Sequence, residues 1–312
     1  PAWRLPAGRA SVAPKAIGSL AEAPVASPVD DRLATALAPA MAALVARDRP
    51  VPIVVSATLT TGERTVGARI SGDLERARDR AGRPTPAGGG ERPSLVVELR
   101  ATGAAGQSLG AFATDGVRIA VSGIANDYVA KGLSGGTVVV RPPATVGFRA
   151  EHEAIAGNTC LYGATGGRLH LVGRAGMRFA VRNSGATAVV EGIGAHGCEY
   201  MTGGVVVVLG PTGRNFGAGM TGGRAWLYDP DGRVPLRINA ASVRAAPLRA
   251  QGADDRLPPD DVPRPDTAER EAELRALVVA HAAEGSGLAA ALLARWETQR
   301  AAFWLVEPVA AE

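Results

Sequence analysis

A short glycine unit recurs through the middle of the sequence at a nearly constant spacing. Each unit is a serine or threonine followed within two positions by one or two glycines, and successive units begin 20, 31, 19, 18 and 19 residues apart. The six units begin at Thr114, Ser134, Thr165, Ser184, Thr202 and Thr221. A β-branched or apolar run follows each unit, over residues 117–121, 137–140, 169–172, 187–190, 205–209 and 224–228. Self-similarity at a short fixed period is the signature of a repeat architecture.

The period of nearly twenty residues selects the kind of repeat. Helical repeats need about 33 to 47 residues per unit, whereas a shorter unit of glycine and β-formers fits one coil of a parallel β-helix. Stacked coils lie about 4.8 Å apart, and their backbone amides pair with the neighbouring coils. Aromatic residues make up only 4% of the chain, which suits a narrow solenoid interior. We therefore predict a mainly β chain, folded as a single-stranded parallel β-helix of about six to seven coils.

Glycines are expected at the tight corners of each coil, because a residue without a Cβ adopts positive φ at little cost. The predicted structural corner glycines are Gly135, Gly136, Gly166, Gly167, Gly185, Gly192, Gly194, Gly197, Gly203, Gly204, Gly222 and Gly223. The one long interval, residues 141–158, contains Pro142-Pro143 and polar residues. It is predicted to be a loop excursion from a single coil.

The repeat and its flanks divide the chain into four segments. Residues 1–28 are rich in Ala and Pro and are predicted to be a linker or lead-in. Residues 29–94 form an N-terminal cap, residues 95–230 the β-helix, and residues 231–312 a C-terminal cover with a helical hairpin. Because the chain starts on Pro1 and not on Met, we expect an excerpt of a longer chain or a processed one.

The N-terminal cap begins with a predicted helix over residues 30–46, where apolar residues recur at helical spacing. Asp30 or Asp31 is available as its N-cap. Pro39 lies inside the pattern and either kinks the helix or moves its true start later.

A strand and a second helix follow in the same cap. Residues 51–59 are predicted to form a strand that ends in a turn near Thr61-Gly62. Ser71-Gly72-Asp73 can cap a short polar helix to about Arg80, and residues 80–93 are predicted to be a flexible surface insertion.

The glycine rhythm stops after Asp229, where residues 229–232 form a predicted turn. Residues 234–257 are expected to cover the open end of the solenoid, because a last coil otherwise leaves unpaired amides. A helix capped by Asp266 or Thr267 follows, and residues 285–287 break it. A second helix over residues 288–303 completes the predicted hairpin. The apolar faces of the two helices carry Leu274, Leu277, Val278 and His281, and Leu292, Leu293, Trp296 and Phe303.

Two local patterns invite a functional interpretation. Gly192, Gly194 and Gly197 match the dinucleotide-binding fingerprint in letters, but the fingerprint requires a helix after the glycines. A strand is predicted there, so we interpret this stretch as a coil corner. Cys198 lies beside His196 and Glu199, and this trio is the place where a catalytic role would lie if the chain were an enzyme in its own right.

The remaining polar candidates favour structural roles. The two cysteines, Cys160 and Cys198, lie on different coils without metal-site spacing and are predicted to be small apolar fillers. Asn158, Asn183 and Asn215 are expected to bond neighbouring backbone or to stack between coils, and Arg182, Arg214 and Glu191 to form surface pairs or to contact a partner. His281 is predicted to be packed or half-exposed on its helix. We predict no catalytic, cofactor-binding or metal-binding residue.

The net charge of +4 comes almost entirely from dispersed arginine, since Lys15 and Lys131 are the only lysines. Nucleic-acid binding needs clustered basic residues, so no nucleic-acid partner is predicted. The sequence has no apolar run of about 20 residues, the length of a membrane span, and its two cysteines form no disulfide framework. A cytoplasmic location is the resulting prediction.

Several blocks resemble the C-terminal GXGXG domain of glutamate synthase large (alpha) subunits. The resemblance extends over about residues 28 to 305. It departs from the family at Ile124 and Ala195, which replace acidic residues, and at Ala130, which replaces glycine. The resembling blocks are residues 126–136, 155–165, 179–192, 196–204 and 210–216.

The resemblance implies a right-handed β-helix that works inside a larger enzyme. Glutamate synthase takes the amide nitrogen of glutamine, passes ammonia inward and reductively aminates 2-oxoglutarate on an FMN-bearing barrel. The family's amidotransferase uses an N-terminal cysteine, whereas the first cysteine here is Cys160. The FMN barrel and the cysteines of the iron–sulfur cluster are also absent from this sequence. FMN and the cluster are therefore implied in partner domains, and none is bound by this chain.

Three functions stay open from the sequence. The favoured one is a scaffold that braces the glutamine amidotransferase and FMN-binding synthase domains, on the same or a separate chain, with exposed apolar patches where they dock. The alternative is a GXGXG subunit of another multi-subunit oxidoreductase, such as formylmethanofuran dehydrogenase. The third is an enzyme that uses His196, Cys198 or Glu199. The electron donor and the oligomeric state are not specified by the sequence.

Overall fold

The computed structural model of the chain describes residues 27–46, 50–82, 95–248 and 268–309. Nearly all of the predicted linker, most of the insertion predicted at residues 80–93, and the predicted cap residues Asp266 and Thr267 lie outside the described residues.

Within these ranges, ten strands form one sheet in the order β1-β2-β3-β4-β5-β6-β7-β8-β10-β9, and β1 to β8 pair in parallel with their sequence neighbours. The chain thus returns seven times to the same side of the stack, and the predicted parallel β-helix is confirmed. The strands are β1 Ile53–Leu59, β2 Val97–Ala105, β3 Val117–Ala125, β4 Ser134–Arg141, β5 Gly166–Leu171, β6 Ser184–Val190, β7 Thr202–Val208, β8 Gly222–Tyr228, β9 Val243–Pro247 and β10 Phe303–Pro308.

The six β-branched runs of the sequence coincide with β3 to β8. The long interval is an excursion, as predicted: β4 and β5 remain direct neighbours although residues 142–165 separate them. The excursion contains the 3₁₀ turn Ala150–His152 and returns to the stack with the bridge Ala125↔Ala156. The stack also starts earlier than the predicted first coil. β1 pairs with β2 from Ile53↔Val97 to Leu59↔Gly103, so the strand predicted within the cap is the first rung of the sheet.

Successive residues of each strand face alternately into the solenoid and out of it. The register places one inward residue of each of β2 to β8 in a column, and all seven are fully buried. This inner column is Leu99, Ile119, Val138, Leu169, Ala188, Val206 and Ala225. The adjacent outward residues form a second column, here named the outer column: Ser56, Arg100, Ala120, Val139, His170, Val189, Val207 and Trp226.

The helix α1 Pro28–Val45 packs against β1 and against α2 Ala68–Arg80, and leucines of both helices lie in the solenoid core. α1 runs without interruption through Pro39, so the later start is wrong. The predicted N-caps are wrong as well, because the N-cap residue is Ser27. The buried Asp30 carboxylate instead accepts a hydrogen bond from the Gly67 amide at 3.0 Å and thereby ties α1 to the start of α2.

α2 begins three residues before the predicted cap at Ser71. Its N-cap is Gly67, whose positive φ of 97° suits glycine. The Ser71 hydroxyl lies inside the helix and donates to the Gly67 carbonyl at 2.7 Å. The end of α2 at Arg80 agrees with the prediction.

The far end of the stack is closed by strands, which corrects the predicted helix over residues 288–303. β10 begins at Phe303 and pairs antiparallel with β8 on one side and with β9 on the other. The longer helix was predicted from the helical spacing of Leu292, Trp296 and Phe303. Pairing with the otherwise open edge of β8 favours a strand for the Phe303–Pro308 segment.

Three helices, α3 Ala268–Ala283, α4 Gly287–Ala294 and α5 Trp296–Gln299, pack against the outer face of β6 to β8. The turn after Asp229 and the break around Ser286 are as predicted. Ser286 is the N-cap of α4, since its side chain accepts from the Ala289 amide at 2.9 Å. The apolar cluster under these helices contains no residue of β1–β4 among the described residues. The outer face therefore has a covered half and an open half.

Candidate functional site

Glycine pairs lie in the first residues of β4, β5, β7 and β8, and β6 begins with Gly185 followed by Ala186. The structure explains both positions of a pair. A Cβ on Gly203 would lie 2.2 Å from the Ser184 carbonyl oxygen of the preceding coil, and Gly204 has a φ of 83°. The first position therefore permits close coil contact and the second permits a left-handed backbone. Gly166, Gly185 and Gly222 make the same close approach to a carbonyl oxygen, whereas a Cβ on Gly135 would meet the amide and carboxylate of Asp115. Gly136, Gly167 and Gly223 have positive φ.

The stretch with the dinucleotide-like spacing connects β6 to β7 and contains no helix. Gly192 has a φ of 149°. A Cβ on Gly194 would come within 2.9 Å of Met177, and a Cβ on Gly197 within 2.5 Å of Ile193. These glycines permit tight packing of backbone and side chains, and the stretch has no helix N-terminus that could bind a pyrophosphate.

A second kind of corner was missed in the sequence because most of its residues are not glycine. Six segments, here named the corner arcs, each contain three residues of positive φ at alternate positions. They are residues 108–112, 128–132, 159–163, 178–182, 196–200 and 215–219. Their starts are separated by the same intervals as the glycine units, so the period alone could have located them.

Amides of the corner arcs pair with both neighbouring coils. The Cys198 amide donates to the Phe179 carbonyl of the preceding coil at 2.8 Å, and the Tyr200 amide donates to the Ala218 carbonyl of the following coil at 2.9 Å. Coil-to-coil hydrogen bonding thus continues around the corner and is not limited to the sheet.

His196, Cys198 and Glu199 share one corner arc, but their side chains separate. His196 Nδ1 lies 3.2 Å from Glu199 Oε1 and 3.1 Å from Asn215 Nδ2, and Asn215 Oδ1 accepts from Asn239 at 2.8 Å. The Cys198 side chain points inward and is fully buried. The arrangement is a partly exposed polar ladder across coils, without a thiol and base facing the same space.

Both thiols are interior groups. Burial raises the pKa of Cys160 to about 12 and also raises the pKa of Cys198, so both are protonated at neutral pH. The Cys160 thiol donates to the Gly157 carbonyl at 3.3 Å. Neither cysteine is positioned as a nucleophile.

Asn158 and Asn183 bond the backbone, as the sequence predicted. Asn158 Oδ1 accepts from the Met177 amide of the next coil at 2.9 Å, and Asn183 Oδ1 accepts from the Ala186 amide at 2.9 Å. Arg182 lies over the Tyr200 ring, 5.8 Å from its centroid. Arg214 is exposed on a loop between coils.

A buried polar cluster joins the sheet to the turn between α3 and α4. His170 of β5 and His281 of α3 stack with their centroids 5.4 Å apart and with an Nδ1–Nδ1 distance of 3.2 Å. His281 Nε2 lies 3.7 Å from Glu191 Oε1, which accepts from the Ser286 hydroxyl at 2.5 Å. Glu191 is only 1% exposed, so its predicted surface role is wrong.

The electrostatics of this cluster favour neutral histidine at its centre. Burial, then the proximity of His281, Arg118 and Arg168, lowers the pKa of His170 to about 3. A neutral His170 can donate from Nδ1 to His281 Nδ1, which leaves the His281 Nε2–H directed toward Glu191. The chain of contacts is closed to solvent and serves as an anchor for the helices.

Four exposed large apolar side chains lie on or beside the corner arcs. Phe112, Tyr128 and Tyr200 lie in three arcs and Met177 directly precedes a fourth, with exposures of 38–58%. These four residues are here named the apolar ridge. The rings of Phe112 and Tyr200 lie close to glycines of the following coil, since a Cβ on Gly132 would approach Phe112 to 2.6 Å and a Cβ on Gly219 would approach Tyr200 to 2.5 Å.

Within the described ranges, no group of three or more His, Cys, Asp or Glu side chains could hold a metal ion. No helix in those ranges is long and apolar enough to cross a membrane.

Comparison with known proteins gives one family and several relatives. The family model described as "GXGXG motif" matches residues 34–309. Ferredoxin-dependent glutamate synthase 2 of Synechocystis sp. is 44% identical over 251 residues, which is 80% of this chain and 14% of the relative. Glutamate synthase [NADH] of Schizosaccharomyces pombe is 48% identical over 193 residues, 62% of this chain and 9% of the relative. The chain thus spans about one seventh or less of the length of these relatives.

Proposed function

This chain belongs to the GXGXG family, and from that premise we propose that it is a structural domain of glutamate synthase. In this role it braces the glutamine amidotransferase domain and the FMN-binding synthase domain, which convert glutamine and 2-oxoglutarate to glutamate. The chain supplies rigid spacing and docking surfaces, and the chemistry takes place in the partner domains.

The comparisons support a role that does not depend on the electron donor. The similar relatives include ferredoxin-dependent enzymes and an enzyme named for NADH, with identities of 44% and 48%. A region shared at similar identity by both kinds of enzyme is better suited to a common structural task than to recognition of one donor. A cytoplasmic location stays a prediction of the sequence.

The observation that carries the proposal is the apolar ridge on an otherwise rigid support. Aromatic and methionine side chains are enriched at protein interfaces, and Phe112 and Tyr200 are each more than half exposed. The backbone beneath them is hydrogen-bonded to the coils on both sides. A ridge of this kind can fix the position of a partner domain with little ordering cost.

FMN and the iron–sulfur cluster are proposed to lie in the partner domains. An iron–sulfur cluster is held by about four cysteine thiolates, whereas this chain has Cys160 and Cys198, both buried with raised pKa values. The donor set does not fit such a cluster.

A chimeric enzyme tests the proposal. The matching region of the Synechocystis ferredoxin-dependent enzyme is replaced by this chain, and glutamine-dependent glutamate formation is measured together with protease resistance of the assembled polypeptide. The chimera should be active. Phe112→Ser with Tyr200→Ser should lower the activity by about tenfold or more, because aromatic anchors dominate interface energies.

Two exposed apolar residues away from the ridge provide the matched control. Val51 and Leu236 are 79% and 81% exposed, and their change to serine should leave the activity within about twofold, as expected outside an energetic hot spot. An inactive chimera that is well folded would contradict the scaffold role. Equal losses of activity in the two double variants would contradict the assignment of partner docking to the apolar ridge.

A further inference from the structure

A groove of about 560 Å³ lies on the open half of the outer face, above β1 to β4. Arg32 of α1 borders it, donating to the Ser56 carbonyl of β1 at 2.8 Å. Arg118 and Arg141 also line the groove, and both contact Glu284 beside the turn between α3 and α4. The groove thus extends from the first helix toward the last helical hairpin.

The floor of the groove consists of small and hydroxyl-bearing side chains. Ser56, Thr58, Thr102 and Ser122 line it, and the hydroxyl oxygens of Thr58 and Thr102 lie 3.3 Å apart. Hydroxyls can donate to carboxylates or to peptide carbonyls. A floor of this composition is suited to a polar occupant and not to a further apolar layer.

Positive charge exceeds negative charge in the groove. Four arginines and one glutamate, Glu98, are among its lining residues. Arg100 donates to Glu98 at 2.8 Å and Arg118 lies 3.3 Å from it, and the hydrogen bond from Arg100 holds the pKa of Glu98 below its ordinary value. The side chain of Arg100 remains 63% exposed, and Arg32 is also exposed. These two guanidiniums keep solvent-facing donors.

We propose that the groove binds an acidic, extended polypeptide segment of a partner domain, through its carboxylates to Arg32 and Arg100 and through its backbone to the hydroxyl floor. Guanidinium forks match carboxylates in charge and geometry. The inference deepens the proposed function and rests on it for the source of the segment.

The shape of the groove favours a peptide over a small anion. Four adjacent strands at their usual spacing extend over about 14 Å, which about four extended residues span. Small-molecule sites enclose about 70–90% of their ligand, whereas this groove is open to solvent along the sheet. The relatives are about seven times as long as the matched region, so they contain abundant polypeptide from which a docking segment can come.

Fluorescence anisotropy with the full chain tests the inference. A labelled octapeptide of alternating serine and glutamate is compared with its serine–lysine counterpart at about 0.05 M and about 0.3 M salt, because salt screens exposed charge pairs. The acidic peptide should bind at least about tenfold more tightly, and added salt should weaken its binding. Arg32→Glu with Arg100→Glu should reverse the preference.

The matched control reverses two other exposed arginines, Arg76 and Arg233, whose side chains are each 64% exposed and paired with an aspartate. It should keep the acidic preference, and thermal unfolding should show that both double variants are folded. The inference is overturned if both double variants lose the preference for the acidic peptide equally, or if the wild type binds the acidic and basic peptides equally well. Displacement of the peptide by free 2-oxoglutarate at an equal carboxylate concentration overturns the assignment to a polypeptide.

The chimeric enzyme separates this inference from the proposed function. The chimera with the wild-type chain should be active, and Arg32→Glu with Arg100→Glu should lower its activity by about fivefold or more, because reversed charges repel an acidic partner. This result would support both the scaffold role and the binding of an acidic segment in the groove. Unchanged activity in that variant overturns the groove alone. An inactive, folded wild-type chimera contradicts the scaffold role, whereas the peptide measurement still reports on the groove.

Discussion

The covered and open halves of the outer face belong to one sheet with one register, yet their side chains differ in chemistry. Along the outer column, Ser56 and Arg100 stand on the open half, and Val189, Val207 and Trp226 stand under the helices. Trp226 is fully buried, whereas the Arg100 side chain is 63% exposed. The inner column is apolar from end to end. The inward side chains are therefore apolar along the whole solenoid, whereas the chemistry of the outward side chains depends on whether helices cover them.

The boundary between the halves is polar and is held by the tip of the helical hairpin. Glu284 contacts Arg118 at 2.7 Å on the open side, and Ser286 bonds Glu191 on the covered side. Apolar packing beneath α3 to α5 supplies burial, while directional polar contacts place the turn between α3 and α4 over β5 and β6. The two kinds of contact have separable consequences.

The largest expected effect is a contrast between two positions of the outer column. Trp226→Ala should lower the free energy of unfolding by about 3–5 kcal/mol, because it removes a large buried side chain. Arg100→Ala should change this free energy little, since an exposed ion pair contributes little to stability. Chemical denaturation of both variants measures the contrast. Similar costs at the two positions would mean that the helices do not seal the covered half.

The period of the glycine units was sufficient to predict the parallel β-helix, because each coil repeats the same local requirement. Gly203 must lie against the carbonyl of Ser184, and its equivalents meet the same constraint in other coils. Local rules of this kind are visible in sequence. The corner arcs obey the same period, but Cys198 and Tyr200 adopt positive φ without being glycine, and composition gave no sign of it.

Features that depend on distant partners were not predicted. Glu191 follows a strand and looks like a surface acid, yet Ser286 and His281 approach it from 95 and 90 positions further along the chain. Phe303 continues a helical spacing but forms a strand because β8 offers an open edge. The arginine groove likewise combines α1 with four strands. In each case the tertiary arrangement, and not the local pattern, decides the outcome.

A smaller loss of stability is expected when the polar contacts of Ser286 at the boundary between the two halves are removed. Ser286→Ala removes the hydroxyl donor to Glu191, whose other carboxylate oxygen is buried and has no hydrogen-bond partner among the described residues. It also removes the N-cap of α4. The loss of a cap and of a buried donor should together cost about 2–3 kcal/mol. Denaturation of Ser286→Ala measures this. Ser122→Ala, on the open half, serves as control and should change stability by less than about 0.5 kcal/mol.

The smallest effect appears only as a dependence on pH. The folded state holds the pKa of His170 near 3, against 6.5 ordinarily. The unfolded chain therefore binds a proton at His170 as the pH falls below about 6.5 and the folded chain does not, so stability is full above that value and is lost on acidification. Between pH 7 and 5 this loss amounts to about 2 kcal/mol.

His170→Gln removes the titration and retains a polar side chain at the same site. The difference in unfolding free energy between pH 7 and pH 5 should be smaller in this variant by about 2 kcal/mol, whatever the variant's absolute stability. The lowered pKa of His170 also depends on the nearby His281, Arg118 and Arg168. These three residues are the same in both proteins. Parallel pH profiles for the two proteins would mean that water reaches His170, and hence that the covered half opens at its boundary before the solenoid unfolds. A flattened profile would show that the hairpin stays seated until the coils themselves come apart.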